Sequence, residues 1–163
     1  LIVGDAAESL QAMAAGSVHC CVTSPPYFAL RSYLDEALKS REIGAETFVE
    51  DYIARLSDVF AALKNCLRDD GTLWLNLGDT MIDGSTGCVP WRVAMRLVED
   101  GWFLRSAAPW VKRSPMPESA QNRPSNGLEY VFMLTKKKSG YYYDLDAIRK
   151  PVAESTLARD QYT

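Results

Sequence analysis

Thr23-Ser24-Pro25-Pro26-Tyr27 brings together a hydroxyl, two prolyl carbonyls and an aromatic face within five residues. Two prolines in succession cannot continue a β-ladder, because proline has no amide hydrogen and holds the residue before it extended. The apolar run Val18-His19-Cys20-Cys21-Val22 ahead of them reads as a short buried strand. The chain therefore leaves a sheet in a stiff shape and presents Tyr27 just past a strand's carboxyl end, where open α/β sheets bind ligands. A hydroxyl, two prolyl carbonyls and an aromatic face together at a strand end suit gripping a flat polar ring. A bare Pro-Pro is ordinarily a surface turn or a polyproline ligand. The strand before it and the aromatic after it argue against that here.

Two acidic residues stand at the ends of other expected strands, in Gly4-Asp5 and Gly78-Asp79. Either is a ligand contact or an ordinary turn or cap. Metal chemistry is disfavoured: Cys20, Cys21, Cys66 and Cys88 show no Cys-x-x-Cys spacing and His19 is the single histidine, whereas a structural zinc needs about four ligands. The thiols suit reduced cysteines of a cytosolic protein. His19 reads as a packing residue and Trp110 as core. No apolar run approaches the roughly 18 residues of a membrane span, and no signal-peptide pattern opens the chain. The first residue is Leu1, not Met, which suggests a truncated N-terminus.

The net charge of −3 does not announce a nucleic-acid binder, but its distribution is uneven. Residues 1–100 hold 8 Lys and Arg against 15 Asp and Glu, and residues 101–163 hold 10 against 6. Positive charge gathers at Lys112-Arg113, Lys136-Lys137-Lys138 and Arg149-Lys150. These clusters are either solvated surface or a side that faces phosphates.

The elements that must position the motif follow from pattern. Leu1-Ile2-Val3 reads as a strand, and Ala6 to Ala15 as a helix with Leu10 and Met13 inward and Gly16 as its stop. Residues 28–44 read as a loop. Thr47 to Leu67 is the strongest helix. Phe48, Tyr52, Ile53, Leu56, Val59, Phe60, Leu63 and Leu67 form one apolar face, and Thr47 with Glu50 has the capping-box pattern. Arg68-Asp69-Asp70-Gly71 ends that helix, and Thr72 to Leu77 is a strand. After a loop over residues 80–88, Pro90 opens a helix with Trp91, Ala94, Leu97 and Val98 inward and Gly101 as its stop. Trp102 to Val111 and Leu128 to Thr135 are strands joined by the proline-rich loop 112–127, which allows them to pair antiparallel. Tyr141-Tyr142-Tyr143 is a candidate short extension. Helices alternating with short apolar strands predict one α/β layered domain with a largely parallel sheet.

At this point the chain resembles the DNA amino-methyltransferases, which methylate N4 of cytosine or N6 of adenine. Their signature, [Asp/Asn/Ser]-Pro-Pro-[Tyr/Phe/Trp], is matched by Ser24-Pro25-Pro26-Tyr27. The segment Val3-Gly4-Asp5 to Leu10 with Ser17-Val18 is similar to the family's approach to that motif. The helix 47–67 followed by Asp70-Gly71-Thr72-Leu73-Trp74-Leu75-Asn76-Leu77-Gly78-Asp79 is similar to the next block. Trp110-Val111-Lys112 and Glu129-Tyr130-Val131-Phe132 match a later one. The resemblance covers nearly all of residues 1–150 and is closest to the class in which the catalytic motif comes first. Many relatives carry His before the glutamate that matches Glu129, where this chain has Leu128.

The resemblance implies a partial Rossmann-like methyltransferase sheet with helices on both faces, mostly parallel with an antiparallel strand near the C-terminus. It implies S-adenosylmethionine as cofactor and double-stranded DNA as substrate, with the target base flipped out. It allows a cognate restriction endonuclease as partner and a cytoplasmic, bacterial or phage-encoded setting. By the same resemblance Ser24 Oγ and the Pro25 carbonyl accept the amine hydrogens, Pro26 completes the catalytic motif and Tyr27 stacks on the base. Asp5 contacts the adenine moiety of the cofactor, and Thr23 is a second cofactor contact. On the residues of the loop 112–127 themselves, Lys112, Arg113 and Arg123 are either phosphate contacts or ordinary surface. The family's Phe-x-Gly-x-Gly cofactor turn is absent from these residues. Residues 1–150 are therefore expected to be the catalytic half of a methyltransferase domain, and 151–163 a polar segment leading to a cofactor-binding part. Serine before Pro-Pro favours cytosine N4, although some Ser-Pro-Pro-Tyr members act on adenine. A non-catalytic DNA-binding remnant stands as the alternative, and methylation of a protein glutamine amide ranks below both.

Overall fold

The computed structural model describes residues 1–151; the expected polar segment beyond Pro151 lies outside the described residues. In chain order the elements are α1 (Ala6–Gln11), β1 (Val18–Thr23), α2 (Val49–Cys66), β2 (Leu67–Gly78), β3 (Met81–Ile82), β4 (Ser85–Thr86), α3 (Val89–Glu99), β5 (Phe103–Val111) and β6 (Leu128–Thr135). Short 3-10 turns occur at Glu36–Arg41 and Asp146–Ile148.

The main sheet has the order β1-β2-β6-β5. β1 and β2 pair parallel through the α2 crossover, and β6 runs antiparallel to both β2 and β5. Three strands thus run one way and the strand nearest the C-terminus runs against them, as expected. Strand alternation sends Leu73, Leu75 and Leu77 of β2 to one face, level with Leu134, Phe132 and Tyr130 of β6. Against that face lie Tyr52, Ile53, Leu56, Phe60 and Leu63 of α2 and Val89, Val93, Ala94 and Leu97 of α3, in one buried cluster. Each fully buried leucine contributes about 1.5–3 kcal/mol, so this seam holds the layers together. α1 packs on α2 and buries none of its residues. Of the helices expected on both faces, the described residues supply one face. On the other, Val22 is 79% exposed, and the Tyr143 ring stacks on Trp74.

Several local expectations fail for physical reasons. Leu1-Ile2-Val3 forms no strand and is exposed, since no described segment pairs with it. The first helix is shorter than expected, ending at Gln11 and capped at its start by the Asp5 carboxylate, which accepts from the Glu8 amide at 3.1 Å. The Thr47/Glu50 capping box does not form. Phe48 occupies the N-cap and is exposed, and Glu50 instead pairs with Arg92 at 2.6 Å. Arg68-Asp69-Asp70-Gly71 is no turn: α2 passes directly into β2, and a register shift opposite Val18 and Cys20 absorbs the extra residues. Asp69 is held there by Lys136 and Lys137, and a Cβ on Gly71 would lie 2.9 Å from the His19 carbonyl oxygen. The loop after β2 contains the β3–β4 hairpin. In α3, Val98 and Trp91 are only partly covered, at 36% and 38% exposure, with the Trp91 ring edge-on to Tyr130 and Phe132 at 5.2 Å. His19 is exposed beside Arg68 rather than packed. Trp110 is exposed on β5 opposite Glu129 rather than core. Tyr141 to Tyr143 add no strand.

Asp79 settles as a cap. Its Oδ1 accepts from the Thr80 amide at 2.9 Å and from the Val89 amide at 3.0 Å, one of the helix-start donors that α3 cannot satisfy internally. Cys88, the N-cap residue, has φ +53° and makes no side-chain cap bond. Asp79→Ala is therefore expected to destabilise the protein by about 1 kcal/mol. A urea titration should show a lower midpoint at unchanged slope; an unchanged midpoint would show that Asp79 does not cap α3.

Candidate active site

The chain leaves β1 at Thr23 and is clamped at once. The Tyr52 hydroxyl of α2 donates to the Pro26 carbonyl at 2.9 Å. Phe28 turns into the core, its ring 5.7 Å from that of Tyr52. The Ala29 amide donates to the Gly44 carbonyl at 2.8 Å. Gly44 has φ +100°, and a Cβ there would lie 2.9 Å from the Tyr27 carbonyl oxygen, so the strained conformation and the close approach both require glycine. Among the hydrogen bonds of the described residues none engages the Pro25 carbonyl. Of the two prolyl oxygens, that of Pro26 is tied down, and Pro25 lies in the cleft wall.

Tyr27 lies across the end of β2, where a Cβ on Gly78 would meet its Cε2 at 2.8 Å. Its hydroxyl is the centre of a polar cluster. It receives Asn76 Nδ2 at 2.9 Å, reaches Glu129 Oε2 at 2.9 Å, and lies 3.1 Å from Ser24 Oγ. Asn76 Nδ2 also donates to Glu129 Oε2 at 2.8 Å, and Lys112 pairs with the other carboxylate oxygen. The donors and acceptors follow by elimination. The amide nitrogen only donates and an ionised carboxylate only accepts. Tyr27 has one hydrogen, and Glu129 takes it. In the contact with Ser24 the serine must then be the donor. With its single hydrogen turned toward Tyr27, Ser24 Oγ can offer the cleft only lone pairs.

The charges agree with this arrangement. Burial raises the Glu129 carboxyl, but the hydrogen bonds from Lys112, Asn76 and Tyr27 outweigh it and leave Glu129 below the ordinary carboxylate range. Burial, with the neighbouring Glu129 adding and the Ser24 and Asn76 donors opposing, pushes Tyr27 up to about 12. Tyr27 therefore keeps its hydrogen, and Glu129 its charge, across the neutral range.

Ser24, Pro25, Pro26, Tyr27 and Glu129 line one open cleft of about 790 Å³. Its far wall comes from residues 30–43. Glu42 anchors that segment, accepting from Ser32 Oγ at 3.0 Å, from the Leu34 amide at 3.4 Å and from the Tyr33 amide. Arg55 of α2 holds the Glu42 carbonyl at 2.9 Å. The expected site residues divide. Asp5 reaches the cleft, with one carboxylate oxygen used in capping α1. Thr23 sits level with Leu75 in the ladder and is not part of the cleft wall. Lys112 lines the cleft, but its charge is engaged by Glu129. Arg123 pairs with Glu118 at 2.6 Å, and Arg113 is exposed on the same loop. Sequence reasoning assigned no role to Asn76, Glu129 or Tyr52. Glu129 contacts a residue 102 positions away, a distance no local pattern spans.

The family model described as DNA methylase, which joins N6 and N4 methyltransferases, matches residues 18–162. The chain belongs to the N6/N4 DNA methylase family. The chain is 39% identical to the Type II methyltransferase M.Cfr9I of Citrobacter freundii, over 92% of the chain and 58% of that protein. It is 38% identical to the Type II methyltransferase M.SmaI of Serratia marcescens, over 96% of the chain and 62% of that protein. Among solved structures, the PvuII DNA methyltransferase, described as cytosine-N4-specific, aligns with a TM-score of 0.68 at 19% identity, covering 83% of this chain and 48% of that one. A protein described as a DNA modification methylase, from Thermus thermophilus and complexed with S-adenosyl-L-methionine, aligns with a TM-score of 0.64 at 26% identity, covering 93% and 56%. The chain spans about three-fifths of the length of these two relatives.

A carboxyl held below its ordinary value of 4.5, as Glu129 is, stabilises the folded state above that pH. The contribution disappears as pH falls through the depressed value. The stability difference between the protein and its Glu129→Gln variant should therefore be constant near neutrality and shrink below about pH 4. Urea midpoints measured from pH 7 to pH 3 check this; a difference that persists unchanged to pH 3 would show that the Glu129 charge is not what the cluster holds.

Proposed function

We propose that the protein to which this chain belongs transfers a methyl group from S-adenosylmethionine to the exocyclic amine of a flipped base in double-stranded DNA, with cytosine N4 favoured. The observation that carries the reading is Ser24 Oγ, obliged to accept, in a cleft wall that it shares with Pro25 and Tyr27. An exocyclic amine is a poor nucleophile while its lone pair is delocalised into the ring. Two acceptors that hold its hydrogens draw the nitrogen toward a tetrahedral shape and free that lone pair for attack. Tyr27, seated on Gly78, offers a stacking surface worth about 1–3 kcal/mol per base, which offsets much of the few kcal/mol needed to flip one.

The bound cofactor supplies a methyl group on a positively charged sulfur. Asp5 at the cleft rim suits one side of it, but the 163 residues contain no Gly-x-Gly turn. Residues 1–150 are accordingly read as the catalytic half, with the cofactor turn supplied by another part of a longer protein. The chain's share of its relatives' length supports this, as does the position of β1 at an edge of the sheet. Titration calorimetry should show firm cofactor binding only for the longer protein; tight binding by the 163 residues alone would refute the division. Arg113 and Arg123 on the loop 112–127 remain the proposed phosphate contacts, and Lys112 is assigned to Glu129 instead. The Type II naming of the relatives supports a place beside a restriction endonuclease in a bacterial cytoplasm.

Preference for cytosine rests on serine at position 24. Mass analysis of nucleosides from treated DNA decides it: N4-methylcytosine is expected, N6-methyladenine would reverse the preference, and neither would favour a non-catalytic DNA-binding role. Ser24→Ala should slow single-turnover transfer by about 10–100-fold, the worth of one hydrogen bond to a charged group. Tyr27→Ala should weaken the 2-aminopurine fluorescence signal of the flipped base. Unchanged behaviour in both variants would remove the roles assigned to them.

A further inference from the structure

When the exocyclic nitrogen takes on a methyl group it carries two hydrogens and a positive charge. One hydrogen must depart as a proton before the product is a neutral methylamine. The prolyl carbonyls can hold that hydrogen but have no hydrogen of their own to pass on. Ser24 has one, already directed at Tyr27, and Tyr27 has one, already directed at Glu129.

We propose that Ser24, Tyr27 and Glu129 form a proton exit from the cleft with Glu129 as its end, a reading that rests on the amino-methyltransferase assignment above. The transfer balances. The N–H bond of the methylated amine breaks and its proton joins Ser24 Oγ. The former serine hydrogen passes to Tyr27 Oη, and the former tyrosine hydrogen passes to Glu129 Oε2. Both hydroxyls end neutral with their hydrogens turned around, the base is neutral, and the carboxylate has become a carboxylic acid. Glu129 is 13% exposed, enough for water to take the proton and reset the chain.

The surroundings suit this direction of flow. A methylated aminium is a strong acid, because losing the proton restores delocalisation into the ring. Even a carboxylate held below its ordinary range can therefore accept from it. Asn76 Nδ2 grips both Tyr27 Oη and Glu129 Oε2, which keeps the last link aligned. The titratable groups recorded against Glu129 are Tyr27, beyond β1, and Lys112, beyond β5; Asn76 of β2 is neutral. Lys112 keeps Glu129 ionised until the proton arrives. The two other carboxylates of the cleft are otherwise occupied. Glu42 is held by Ser32, Tyr33 and Leu34, and Asp5 caps α1.

Two variants of the full-length enzyme test the route. Tyr27→Phe keeps the stacking ring and breaks the chain in its middle; Glu129→Gln keeps the shape and removes the acceptor. Each should slow single-turnover methyl transfer by about 100-fold, the lower range for positioned acid–base groups, because the positive charge building on nitrogen as the methyl group arrives is no longer relieved through the chain, with KM for DNA and the 2-aminopurine flipping signal unchanged. The double variant should be no slower than the slower single one, because both cut one path. In protein labelled with ¹³C at tyrosine Cζ, the Tyr27 resonance should shift as Glu129 titrates, and that response should vanish in Glu129→Gln. Multiplying rate losses, a raised KM with an unchanged transfer rate, or a Tyr27 resonance indifferent to Glu129 would each overturn the route. If the unaltered enzyme methylates DNA and Glu129→Gln matches it, the route alone falls. If the unaltered enzyme transfers no methyl group to DNA, the functional reading falls with it.

Discussion

A tyrosine hydroxyl has one hydrogen, and where Tyr27 directs it decides what the rest of the site can do. Glu129 takes that hydrogen at 2.9 Å. Three strands must meet correctly for it to do so. The β2–β6 register sets Glu129 against Gly78, two residues from Asn76. The β5–β6 register sets Trp110 against Glu129, and the ladder continues as the Lys112 amide donates to the Gly127 carbonyl at 2.9 Å. That continuation brings the Lys112 ammonium to the carboxylate. A largely buried carboxylate is tolerated only when paired and hydrogen-bonded; here it has an ion pair, an amide and a phenol. The arrangement of the sheet is thus expressed in the polarity of a single hydroxyl.

The motif itself is rigid from two directions. Pro25 and Pro26 restrict the backbone through covalent geometry, and the fold then closes on it from outside. Tyr52 fixes one carbonyl, Phe28 fills a core site directly after the motif, and Gly44 and Gly78 allow approaches that any side chain would prevent. Acceptors already in place when a base enters need little reorganisation as charge develops, which is how preorganised polar groups contribute most to a rate. The loop 30–43 could not serve as a wall on its own residues' propensities. Buried Glu42 holds it by side-chain and backbone bonds, and Arg55 anchors it to α2.

What was legible in the sequence was local. The strand feeding Thr23, the stiff exit through Pro25-Pro26 and the apolar face of α2 are written in consecutive or helically spaced residues, and all are present, but that strand is not buried as its composition predicts: no residue of β1 is buried and Val22 is open. So is β6, with the boundaries expected. The failures are non-local. Leu1-Ile2-Val3 has strand composition, but a strand exists only with a partner. Thr47 and Glu50 have capping-box spacing, but Arg92, 42 residues on, takes the glutamate. Arg68 to Gly71 looks like a turn, yet pairing with β1 and two lysines near the end of the chain draw it into β2. Trp110 has core composition but lies on an edge strand whose outer face is open. Glu129 was visible as part of a family block, but nothing near it in the chain says that its partner is Tyr27.

Among the described residues, the groups that orient Ser24 and Tyr27 come from the loop after β1, the end of β2 and the two antiparallel strands. The direction of the Ser24 hydrogen is therefore set by the sheet and not by the motif alone. A shift of β6 by one residue against β2 would turn Glu129 to the helix side of the sheet and leave Asn76 in place, since alternate residues face opposite ways. Tyr27 would lose the acceptor of its hydrogen, and Ser24 would regain the freedom to point its own hydrogen into the cleft. The antiparallel strand near the C-terminus therefore carries the half of the site that the Ser-Pro-Pro-Tyr motif lacks.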